Sequence, residues 1–192
     1  LKESQIIGIC RFAFLGRGDW IGMRGADAHD APRLKEQAEW LFDPDRMARR
    51  LFTLERICLA SVAAQTDPDF RFLVVTSARL PQVWRDRLSQ LCAGLPQAEL
   101  ILSDSPDLAG VLRPILMRSA RQTGRAALQF RLDDDDAVGP GFIADLRRIA
   151  PHGRHAAGQG GQCRIGRAQG GQFLDPVVGQ GGCGHASRSR QR

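Results

Sequence analysis

Apolar side chains along this chain follow two rhythms: short unbroken runs, and longer stretches in which they return every three or four positions. The runs predict buried strands, and the returns predict helices packed against them. Residues 6–14 form the first run. Residues 15–43 show no period and hold Gly16, Gly18, Gly22 and Gly25, so a long irregular loop is predicted there. Asp43 followed by Pro44 is a helix start, a capping carboxylate with proline in the first turn. Met47, Leu51, Leu54, Ile57 and then Ser61 or Val62 carry one apolar stripe as far as Gln65. A strand over 70–76 comes next, then a helix from Pro81 to Ala93 with Trp84, Leu88 and Leu91 turned inward, and a third strand over 98–102. The helix predicted for about 105–122 must be kinked or delayed by Pro114 and is ended by Gly124. The last run, 126–132, leads straight into Asp133, Asp134, Asp135 and Asp136.

Strand and helix alternate four times. The pattern implies a parallel sheet with helices on both faces, and such sheets bind ligands beyond the carboxyl ends of their strands. The four aspartates lie at that edge, as do Cys10 and Arg11 after the first strand and Thr76 and Ser77 after the second. Adjacent carboxylates repel one another and raise each other's pKa. A divalent cation relieves that repulsion, and hard oxygen ligands suit Mg²⁺ or Mn²⁺ carrying a substrate diphosphate. A solvated acidic loop, or a set of helix caps, is the plainer reading of the same four residues.

At 192 residues and 43% hydrophobic, the chain has enough material for one substantial core. Its net charge of +6 points to nucleic acid until the charge is located. Residues 1–150 balance 21 basic against 20 acidic side chains, whereas residues 151–192 hold six arginines and one acid. The five cysteines form no CxxC pair, and Cys10, Cys58 and Cys92 sit in apolar segments, so reduced buried thiols are expected. With no apolar stretch of about 18 residues and no signal peptide, a cytoplasmic location is expected. At Pro151 the composition changes abruptly: the last 42 residues include 11 Gly and 6 Gln and have no helical or strand period. Two segments follow, a 1–150 α/β domain and a 151–192 tail without the apolar content to order itself. The tail reads either as a natural basic segment or as an out-of-frame translation of a GC-rich gene. No nucleic-acid partner is expected, because interleaved aromatics are missing.

Several motifs carry a family resemblance. Residues 64–75, with Gln65-Thr66 and Phe70, resemble the second-strand signature of inverting GT-A glycosyltransferases, and Leu132 to Phe142 resembles their acidic DxD metal motif. Four segments in order, at 8–12, 41–47, 80–88 and 131–136, resemble more narrowly a bacterial rhamnosyltransferase family. The resemblance covers residues 6 to about 148. It implies a GT-A, Rossmann-like sheet, C-terminally truncated. It also implies transfer of a sugar, rhamnose by the family label, from a nucleoside diphosphate sugar to a cell-surface glycan acceptor. Carried onto this chain, Asp133, Asp135 and Asp136 match the metal carboxylates, Asp134 fills the variable position, and Cys10, Arg11, Phe12 and Asp133 would face the nucleotide. Arg11 fits either a phosphate or a surface ion pair. The family carries acids after the second strand where this chain has Thr76 and Ser77, and no carboxylate here matches the catalytic base. The alternative is therefore a truncated remnant that binds nucleotide and metal without turnover, and the full 192-residue chain is expected to be inactive as a transferase.

Overall fold

The computed structural model describes residues 5–16, 31–124 and 127–149; the expectations for the 151–192 tail, and for positions 17–30 of the predicted loop, lie outside them. Strands β1 (Ile6–Arg11), β2 (Arg71–Ser77), β3 (Ala98–Ser103) and β4 (Leu128–Arg131) form one all-parallel sheet in the order β3-β2-β1-β4. Each strand agrees with an apolar run, since both faces of such a sheet are covered and alternation is lost.

The helices are α1 (Ala31–Leu41), α2 (Pro44–Thr53), α3 (Ala60–Ala63), α4 (Gln82–Ala93), α5 (Leu108–Thr123) and α6 (Phe142–Ile149), with a π-turn at Leu54–Leu59 joining α2 to α3. Side chains alternate across the sheet. Ile6, Cys10, Phe72, Val74 and Phe130 meet Met47, Leu51, Leu54, Cys58, Leu88 and Ile143 from α2, the π-turn, α4 and α6. Ile7, Ile9, Leu73 and Val75 meet Leu112, Leu108 and Ile115 of α5 on the other face. Helices thus cover both faces, as the alternation required.

Two helical details match the sequence and two differ. Asp43 caps α2 by accepting a hydrogen bond from the Arg46 N–H at 2.9 Å, and Gly124 ends α5 in the left-handed conformation at φ 69°. Pro114, however, does not interrupt α5, which begins at Leu108 and runs through it with Pro114 exposed. Ile57 is 37% exposed, and Cys58 and Leu59 are buried in its place. The π-turn is the reason, because its wider coil rotates the following residues and carries Leu59 inward.

The larger correction is α1, which occupies part of the stretch expected to be irregular. Its wholly buried Gln37 donates from Nε2 to the Gly16 carbonyl at 2.9 Å and accepts from the Gly16 N–H at 3.1 Å. That amide pair, with Leu34 and Leu41 packed on Leu15, fastens the helix to the chain leaving β1. Gly16 has φ 151°, and a Cβ there would run into the Pro106 backbone.

Cys10, Cys58 and Cys92 are free and buried, as expected. The hydrogen-bonded Cys58 thiol and then burial hold Cys10 well above the usual thiol range, and burial pushes Cys92 up to about 11. Thiols held protonated in this way are packing groups, not nucleophiles. Among the described residues no helix is long and apolar enough to cross a membrane.

Candidate functional site

The chain order reverses across the β1/β4 pair, since β2 and β3 lie on one side of β1 and β4 on the other. At such a reversal the two flanking connections leave in opposite directions and open a crevice outside the strand ends. Pairing continues one residue past each strand: the Phe12 N–H donates to the Val75 carbonyl at 2.9 Å, and the Leu132 N–H to the Ile9 carbonyl at 3.1 Å. Immediately beyond, Ala13 takes φ 46°, a conformation that non-glycine residues adopt only when their surroundings enforce it.

The four aspartates occupy the other lip. The Asp136 N–H donates to the Asp133 carbonyl at 3.1 Å and closes them into a turn. The turn divides the carboxylates by burial. Asp134 is 6% exposed, Asp133 and Asp136 are half-buried, and Asp135 is exposed and enters no ion pair among the described residues. Asp134 points inward onto Arg50 of α2, which grips it with Nη2 on Oδ1 at 2.6 Å and Nε on Oδ2 at 2.9 Å. Asp133 Oδ1 receives Nε and Nη2 of Arg131 at 3.0 and 2.8 Å. No three His, Cys, Asp or Glu side chains among the described residues converge into a metal cage, so Asp133, Asp135 and Asp136 do not form one by themselves. A hard cation that arrives with a diphosphate needs only one or two carboxylates, because phosphate oxygens and water complete its shell. Exposed Asp135 with neighbouring Asp133 fits that requirement.

The loop after the turn is held by the segment entering β2. Gln65 donates from Nε2 to the Gly139 carbonyl at 2.9 Å and accepts from the Ile143 N–H at 3.1 Å, at the start of α6. Thr66 adds its N–H to the Pro140 carbonyl at 2.9 Å. At the next position Asp67 Oδ2 accepts from Arg147 Nε of α6 at 2.6 Å. That guanidinium holds the Asp67 carboxyl below its ordinary value of 3.8. A carboxyl lowered on folding contributes stability that is complete above its ordinary value and disappears as pH falls through the lowered one. Asp67→Asn is therefore expected to cost roughly 1–2 kcal/mol at pH 7 and little at strongly acid pH. Urea midpoints at both extremes check this; a pH-independent gap would mean the ion pair is not its source.

The other residues singled out from the sequence fall in different places. The Cys10 and Phe12 side chains are wholly buried in the core on the α2 side, and Arg11 is 8% exposed. What Cys10 and Phe12 can present at the crevice is therefore backbone. Thr76 is wholly buried with its hydroxyl lacking a hydrogen-bond partner among the described residues, and the Ser77 hydroxyl accepts from the Arg79 N–H at 3.1 Å within its own turn. Arg50 is a site residue that sequence reading missed. A stripe argument records which helical positions face inward, whereas Arg50 lies at the stripe's margin and its partner is 84 residues away.

A four-stranded parallel sheet with helices on both faces defines an α/β, Rossmann-like protein, and its acidic turn follows the strand at the switch point. A family profile described as "Putative rhamnosyl transferase" matches residues 5–161, so the chain belongs to that family, a family of glycosyltransferases. The match spans every described element and continues past Ala150, into the stretch where the composition changes. No curated protein and no solved structure shows a significant match.

Proposed function

We propose that the chain binds a nucleoside diphosphate sugar together with Mg²⁺ or Mn²⁺ at the β1/β4 edge, as the donor-binding part of an enzyme that passes the sugar to a glycan acceptor. The family description suggests rhamnose as the sugar. The observation that carries this reading is the position of the acidic turn, at the switch point of a parallel sheet and inside the family match. Asp135 and Asp133 are the residues that would hold the cation, with Asp136 beside them. The cation supplies positive charge where the departing diphosphate becomes negative. The β1 end, Cys10 to Phe12, lines the nucleotide side of the crevice. No residue is assigned as the base that takes the acceptor's proton: Asp145, the next carboxylate along the chain, is paired with Arg148 at 2.9 Å.

Equilibrium binding to a panel of nucleoside diphosphate sugars, dTDP-rhamnose included, tests the reading. At least one should bind ten times more tightly with Mn²⁺ than with EDTA; equal binding in both, or none at all, overturns it. Metal-dependent binding without acceptor-dependent release of nucleoside diphosphate assigns the chain donor binding alone.

A further inference from the structure

Arg50 joins three pieces of the site. It grips both oxygens of Asp134, its Nη2 also donates to the Arg11 carbonyl at 3.3 Å, and its guanidinium carbon lies 5.1 Å from the centre of the Phe12 ring. A single hydrogen bond fixes a distance. Two parallel ones from a planar fork fix the plane of the carboxylate as well, and the ring beneath the guanidinium limits the plane of the fork. Asp134 is nine-tenths buried, so its side chain has one accessible arrangement, and the turn closed between Asp133 and Asp136 inherits that arrangement. With Asp134 turned inward, exposed Asp135 is left at the crevice.

We infer that Arg50 is a positioning residue: through Asp134 it sets how Asp133 and Asp135 meet the cation and diphosphate. For its effect on ligand the inference rests on the function proposed above; for its effect on the turn it does not. Lysine keeps the charge and loses the fork, so Arg50→Lys isolates the geometry. Outer partners of metal ligands typically change metal affinity 10–100-fold.

The full chain carrying Arg50→Lys is compared with wild type in two measurements, with Arg50→Gln as the second variant should the lysine form fail to fold. Hydrogen exchange of the Asp136 amide, which needs no ligand, should accelerate about tenfold while amides of β2 keep their protection, as a local loosening requires. Affinity for Mn²⁺ with a nucleoside diphosphate should fall about 10–100-fold. Unchanged exchange at Asp136 overturns the inference whatever the nucleotide does. Faster exchange with undiminished affinity overturns it too, since the turn's position would then not matter to the ligand. If wild type binds no nucleotide, the proposed function falls, and exchange alone decides whether Arg50 holds the turn.

Discussion

Asp135→Asn is expected to remove the cation dependence of nucleotide binding while leaving the protein as stable as before, whereas Asp134→Asn, one residue earlier, should lower stability as well as affinity. Asp135 is exposed and enters no ion pair among the described residues, so removing its charge costs the fold nothing. In the proposed site it is a direct hard-oxygen ligand. Its loss should exceed the 10–100-fold effect of an outer partner and reach about a hundredfold or more in affinity for Mn²⁺ with a nucleoside diphosphate. Asp134 is buried against Arg50 at 2.6 Å, and an amide there removes the charge that the guanidinium grips. That should cost about 1–3 kcal/mol of unfolding free energy. Calorimetric titration and urea unfolding of the two variants side by side separate the roles. Matching losses of stability in both would show that the turn is simply a structural knot.

The second large effect is expected far below the crevice, at Gly8. It lies in β1 opposite Phe72 on one side and Phe130 on the other. A Cβ there would stand 2.5 Å from ring carbons of both, closer than any real contact. Neither ring has room to retreat: Phe72 is wholly buried, and Phe130 packs edge-on against Phe142 of α6, with ring centres 5.1 Å apart. Gly8→Ala should therefore cost about 3 kcal/mol, at the upper end of ordinary overpacking. Trimming Phe130 to leucine in the same chain should recover part of it, because the two sites are in contact. A Gly8→Ala protein with the wild-type urea midpoint would mean that the strands part more easily than this packing allows.

Much of the fold was legible because strands covered on both faces leave unbroken apolar runs, and because Asp43, Pro44 and Gly124 act through local geometry that sequence records. What escaped depends on partners distant in the chain. α1 was hidden because its anchoring residue, Gln37, is polar and is buried only by a pair of hydrogen bonds to Gly16, 21 residues earlier. Ile57 was placed inward because a uniform helical period was assumed, and no residue in 54–59 announces a wider turn. At the site, the family pattern picks out the aspartates but treats Asp134 as variable, whereas its burial and its grip on Arg50 make it the anchor of the turn. Gln65 and Thr66 were legible as a motif, and only the contacts with Gly139, Pro140 and Ile143 show what the motif holds.

The helical rod from Pro44 to Ala63 reaches the acidic loop twice. Near its beginning Arg50 grips Asp134, and just past its end Gln65 holds Gly139 and the first turn of α6. A loop pinned at both ends by one rod cannot slide along it; it can only be carried. Any shift of that rod against the sheet therefore moves the carboxylates and the start of α6 together, as one lever.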